Sequence, residues 1–164
     1  MRLFQPQPKM ILWVFHLAVK KTNDYQMKQK PIILTIDICV QMKKIELEYQ
    51  IRSSPSVLFS RLSTASGLAE WFSDNVHVEG SKYTFFWGKT SQSAELLSIR
   101  PMESVKFRWI DSDEPSEFEF YIVMGEIIED LSLMVVDMVE EGDEADNVKM
   151  WDSAISRLRK AIGS

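Results

Sequence analysis

The side chains that most often do chemistry are scarce in this sequence. Two histidines and one cysteine are present in 164 residues. His77 stands in NVHVEG with Asp74 and Glu79 close by, and a histidine beside carboxylates can act as a general base. Alternation turns it away from Val76 and Val78, so an exposed strand histidine is the favoured reading. His16 and Cys39 fall in an N-terminal stretch of different character. No His-rich metal centre, Cys-based zinc site, disulfide framework or Cys/His nucleophile pair can be assembled from these residues. The serines have no neighbouring base. Neither GxxxxGKS nor GxGxxG occurs, which removes most of the case for nucleotide hydrolysis and dinucleotide redox chemistry. No catalytic residue, metal ligand or cofactor is therefore expected.

What the sequence does hold is rings. Along KYTFFWG, Tyr83, Phe85 and Trp87 share a face; along VKFRWI, Val105, Phe107 and Trp109 oppose Lys106 and Arg108. Along EFEFYIVM, Phe118, Phe120, Ile122 and Met124 oppose Glu117 and Glu119. One sheet face is thus heavily aromatic. With Trp151 and Ile155 from a C-terminal helix, the rings Phe85, Trp87, Phe107, Trp109, Phe118 and Phe120 are candidates to line an apolar ligand cavity. The same residues could equally fill a core. Asp137, set among apolar neighbours in LSLMVVDMVEE, is a candidate polar anchor facing inward with Leu133 and Val135, with Arg100 or Tyr83 as its partner. The simpler reading leaves it in solvent near a strand end.

The elements that must position these rings are well punctuated. KIELEYQI alternates Ile45, Leu47, Tyr49 and Ile51 with polar residues, the mark of a strand with one wet face. In SSPSVLFSRLS, Ser54 is an N-cap and Pro55 a first helical residue, with Val57, Leu58 and Leu62 on one face. TASGLAEWFS predicts a second short helix, capped by Thr64 or Ser66, with Leu68, Trp71 and Phe72 inward. Six strands follow: NVHVEG, KYTFFWG, SAELLSIRP, SVKFRWID, EFEFYIVMGEI and LSLMVVDMVEE, joined by short turns. DNVKMWDSAISRLRKAIG closes the chain as an amphipathic helix capped by Asp146 or Asn147. Its inward stripe is Val148, Trp151, Ile155, Leu158 and Ile162, and Gly163 ends it. The expected class is α+β: a curved seven-stranded antiparallel sheet wrapped around a long C-terminal helix, with two short helices after the first strand.

Composition sets the outer bounds. With 45% hydrophobic and 26% charged residues, the chain has the makeup of a folded protein and is long enough for one domain. Residues 1–41 carry six Lys/Arg and two Asp/Glu, a net +4, whereas residues 42–164 carry 13 and 22, a net −9. A surface so acidic, without a basic stripe, does not suit nucleic acid or an anionic membrane. The apolar run MILWVFHLAV at 10–19 is too short to span a bilayer, and no small-residue cleavage site follows it. Residues 1–41 are therefore read as a disordered extension or a mis-called start, and 42–164 as the domain, with a cytoplasmic location and no stable membrane insertion.

Three blocks carry a family resemblance. SSPSVLFSRLSTASGLAEWFSD, IRPMESVKFRWID and MWDSAISRLRKAI together resemble the START-like (SRPBCC), or birch-pollen-allergen-like, superfamily. Within it they are most similar to the branch of the heat-shock ATPase activator's C-terminal domain. The resemblance covers residues 42–164 and implies the helix-grip fold. It also implies non-catalytic binding of a small hydrophobic molecule or lipid between sheet and helix. The alternative it implies is a protein-interaction module regulating a chaperone-like ATPase, and a cyclase or hydratase role lacks a visible acid/base pair.

Overall fold

Alternation of apolar and polar side chains builds the sheet. The computed structural model describes residues 41–111, 116–125 and 131–163, so the expected extension over 1–41 lies outside the described residues apart from Gln41. Strand β1 (Met42–Gln50) is followed by helices α1 (Pro55–Ser63) and α2 (Ala65–Trp71). Then come β2 (Asn75–Glu79), β3 (Lys82–Trp87), β4 (Thr90–Arg100), β5 (Ser104–Trp109), β6 (Glu117–Met124), β7 (Leu131–Glu140) and helix α3 (Glu144–Ile162). The sheet has the order β1-β7-β6-β5-β4-β3-β2, antiparallel throughout. The strands from β2 to β7 form a meander, and the last strand returns to pair with the first, Met42 opposite Glu140 and Tyr49 opposite Leu133. This is the expected helix-grip arrangement.

The inner face carries Tyr83 and Phe85 from β3, Val105 and Phe107 from β5, Phe118, Phe120 and Ile122 from β6, and Leu133, Val135 and Val139 from β7, all buried. Helix α3 lays Trp151, Ala154, Ile155 and Leu158 on that face. The register shifts between Leu96 and Ser98 on β4, a bulge that bends the strand where two leucines follow each other. Three contacts tie α3 to β1. Lys43 Nζ meets Glu144 at 2.9 Å, Tyr49 donates its hydroxyl to Asp152 at 2.9 Å, and Arg159 donates to the Gln50 carbonyl at 2.9 Å. Burial and the Asp152 hydrogen bond both push the Tyr49 hydroxyl above its ordinary range, so it stays a donor.

The two short helices are joined with no slack. Ser54 Oγ accepts from the Val57 N–H and Pro55 opens α1, as its sequence requires. Thr64 closes α1 with its own N–H on the Ser60 carbonyl, and caps α2 by accepting from the Gly67 N–H at 3.0 Å. A Cβ on Gly67 would sit 2.4 Å from the Ser60 carbonyl oxygen and 2.7 Å from the Arg61 Cα, so only glycine lets the helices meet this closely. Trp71 locks the kink by donating its indole N–H to the Arg61 carbonyl at 2.9 Å.

Two local expectations are corrected. Helix α3 begins at Glu144 behind Asp143, not at Asp146 or Asn147, because the turn at Gly142 (φ 96°) places Asp143 at the first carbonyl of the helix. Val57 is 43% exposed and does not share the inward face of Leu58 and Leu62, which are fully buried. It lies on the solvent side of a helix too short to bury two stripes.

Candidate functional site

Direction of the strands decides where the site lies. Strands β3, β5 and β7 run the same way, so Trp87, Trp109 and Asp137 fall toward one end of the sheet. Strand β6 runs oppositely and brings its early residue Phe118 there, directly opposite Asp137. The N-terminal half of α3 covers this end with Trp151.

The ring residues expected from the sequence come together as one cluster. Phe107 stacks on Phe118 at 5.1 Å, Phe118 on Trp109 at 4.7 Å, and Phe120 meets Trp151 edge-on at 5.8 Å. Phe85 contacts Trp109 at 5.8 Å. Phe85, Phe107, Phe118, Phe120, Trp151 and Ile155 are buried, whereas Trp87 and Trp109 are half-buried. Burial raises the Tyr83 hydroxyl above its ordinary value, which keeps it neutral beside Phe107.

The organising residue, however, is Phe72, which the strand and helix periodicities place inward without marking it as central. It is the C-cap of α2, four residues after Leu68 and on the same face. Its ring lies 5.0 Å from Phe85, 5.7 Å from Trp87, 5.8 Å from Phe118, 6.2 Å from Phe120 and 6.5 Å from Trp109. It stacks on Trp151 at 5.7 Å with the planes 12° apart. Phe72 thus occupies the middle of the space between sheet and helix. Its backbone is held as well, since Trp87 donates its indole N–H to the Phe72 carbonyl at 2.8 Å.

Asp137 faces inward and is 7% exposed, and it is the one charged side chain among the buried residues described. Neither Arg100 nor Tyr83 is its hydrogen-bond partner here, and the solvent-facing reading is overturned. Trp151 donates its indole N–H to Asp137 Oδ2 at 3.0 Å, and the Met138 N–H donates to Oδ1 at 2.8 Å. Arg100 pairs instead with Glu103 on the surface at 3.0 Å. A carboxylate buried among rings is costly unless donors reach it, and these two N–H groups offset part of that cost. His77 is exposed on the edge strand β2 and meets Glu79 at 3.2 Å. Among the described residues no three His, Cys, Asp or Glu side chains are grouped to hold a metal ion.

A helix-grip sheet closed over an aromatic cluster can be compared with known proteins. A family model described as a START-like superfamily domain matches residues 39–164. The chain belongs to the START-like superfamily. A solution structure of a Bacteroides fragilis protein is 35% identical to this START-like chain. It covers 73% of this chain and 90% of its own, with a TM-score of 0.53. The solution structure of the Aha1 dimer from Colwellia psychrerythraea is 18% identical, covers 73% and 96%, and has a TM-score of 0.62. CalU16 from Micromonospora echinospora is 16% identical, covers 74% of each chain, and has a TM-score of 0.58. The last two likenesses show the fold alone. No curated protein matches this START-like chain. No described helix is long and apolar enough to cross a membrane.

Proposed function

We propose that this START-like domain binds a small hydrophobic molecule, without catalysis, between the sheet and α3. The observation that carries the reading is the unsealed end of the ring cluster. Trp87 and Trp109 are half-buried and both contact Phe72, so apolar ring surface reaches solvent at that end. Flat rings offered edge and face suit an apolar guest, which gains from leaving water and from ring stacking. Phe72 is the residue a guest must displace, because it fills the centre. It is the C-cap of α2, its N–H bonded to the Leu68 carbonyl at 2.8 Å, so the backbone can stay fixed while the side chain rotates. Trp87 and Trp109 then flank the entrance, Phe118 forms the floor, and Phe85, Phe107 and Phe120 form the walls. Trp151 and Ile155 close the site from the helix, and Asp137 is the polar anchor.

The test is titration of the native protein with a neutral fluorescent probe, N-phenyl-1-naphthylamine, alongside its Phe72→Ala variant. One site in the native protein is expected, with a rise in Tm at excess ligand. Stronger binding by Phe72→Ala is expected too, because the variant removes the displaced ring. Binding by Phe72→Ala alone, with none in the native protein, would show a filled core and overturn the reading.

A further inference from the structure

The two edges of the sheet are strands β1 and β2. In an antiparallel ladder every second residue turns its N–H and C=O to the neighbouring strand, and the residues between turn theirs the other way. The ladder from β1 to β7 is bracketed by the Glu141 N–H on the Gln41 carbonyl at 2.9 Å and the Ile51 N–H on the Leu131 carbonyl at 2.8 Å. Odd-numbered residues of β1 therefore bond to β7, and Met42, Lys44, Glu46, Glu48 and Gln50 direct their backbone groups out of the sheet. Arg159 holds the Gln50 carbonyl at 2.9 Å and closes one end of this row. No described residue bonds to the outward backbone groups of Met42, Lys44, Glu46 or Glu48. Such a row of donors and acceptors is a template for another strand.

The side chains beside the row select that strand. Lys44 and Glu46 meet each other along β1 at 2.5 Å and are both exposed. A second β1 running antiparallel can pair only even-numbered residues with even-numbered ones, because these alone carry outward groups. Registers that set Lys44 opposite Lys44, or Glu46 opposite Glu48, bring like charges together, which destabilises a cross-strand pair. The register with Glu46 opposite Glu46 does the same, and it also calls on the Gln50 carbonyl that Arg159 occupies. The register centred on Ile45 sets Lys44 opposite Glu46 of the second copy and Glu46 opposite its Lys44. Met42 then lies opposite Glu48, so every open group from Met42 to Glu48 finds a partner. Strand β2 offers no equivalent match, since NVHVE contains Glu79 and no lysine or arginine.

We infer that this protein forms a two-fold dimer in which β1 pairs with β1 of a second copy about an axis at Ile45, joining two sheets into one. The dimer does not depend on the proposed guest. One edge serves both copies, so the association closes on itself and leaves β2 outside. Edge pairing buries little side-chain area, and the dimer is accordingly weak, with a Kd of about 10–500 µM at low salt.

Sedimentation equilibrium of the full chain, from about 5 µM to about 1 mM, should show a monomer–dimer equilibrium that weakens as salt is added. Lys44→Glu and Glu46→Lys each place two like-charged pairs in the interface, and each should weaken the dimer by about tenfold or more. Mixed in equal amounts, the two variants should associate about as tightly as the native chain, because an acidic strand then faces a basic one at both positions. Far-UV circular dichroism checks that these exposed substitutions leave the fold intact. A chain that stays monomeric at about 1 mM overturns the inference, whatever then covers the edge. A dimer that both variants form as tightly as the native chain overturns it too, as does failure of the variants to associate on mixing.

Discussion

Replacing Trp151 by phenylalanine and by alanine separates two contributions that meet in one side chain. The indole is 2% exposed, stacks on Phe72, meets Phe120 edge-on at 5.8 Å, and donates to the buried Asp137 at 3.0 Å. Phenylalanine keeps a ring against Phe72 and loses the donor. A hydrogen bond to a charged acceptor contributes about 1.5–3 kcal/mol, and the smaller ring forfeits some packing, so Trp151→Phe should cost about 2–3 kcal/mol. Alanine loses the ring as well. A buried tryptophan hides about 150–250 Å². At about 25 cal/mol per Å² that area corresponds to about 4–6 kcal/mol, and truncations in packed cores measure about 3–5 kcal/mol. Trp151→Ala should therefore cost about 5 kcal/mol, leaving a difference of about 2–3 kcal/mol between the variants for the ring alone. Urea unfolding followed by far-UV circular dichroism gives both numbers from the shift in midpoint at constant slope. A Trp151→Phe loss below about 0.5 kcal/mol would refute the account of the Asp137 bond. Equal losses in the two variants would refute the account of the ring.

Gly67→Ala should destabilise by about 1–3 kcal/mol or more, because the atoms its methyl would strike are the Ser60 carbonyl and the Arg61 Cα, which cannot move without separating α1 from α2; a stabilised or unchanged variant in the same urea assay would mean the helices are loosely joined. Lys106 and then Arg108, each 2.7 Å from Glu117, hold its carboxyl below the usual 4.5. The stabilisation from that pairing is complete above the unfolded value and disappears as pH falls through the depressed folded value. Glu117→Gln should lower Tm at pH 7, and by less as pH falls through the depressed folded value and in high salt; an effect unchanged between pH 7 and strong acid would sink the assignment.

Most of the architecture is legible from residue order alone, and the misses lie near helix starts. Strands such as EFEFYIVM show their inner face because a period of two survives any sheet geometry. Proline after serine marks the start of α1 equally well. Asp143 caps α3 from the turn at Gly142, where no period runs, and Val57 stands in the first turn of a nine-residue helix, where the period is too short to fix the inward side. Asp137 is different: its strand pattern points inward, but its partner Trp151 is brought to it only by docking of the helix. The ring residues of the site were legible as a face, whereas Phe72 at its centre depends on how α2 meets the sheet.

The pairing of the first strand with the last has a consequence in time. Strand β1 leaves the ribosome before every other element of the domain, yet its ladder partner β7 is among the last to emerge. Until α3 follows, Phe72 has no Trp151 to stack on and the aromatic face stays wet. Nascent chains of this topology therefore expose their stickiest surface for nearly the whole of synthesis, and are delivered to the cell with their most distant contacts still to be made. A stop codon just before Glu144 would leave all seven strands encoded and that ring face permanently open, a chain more prone to self-association than one lost earlier.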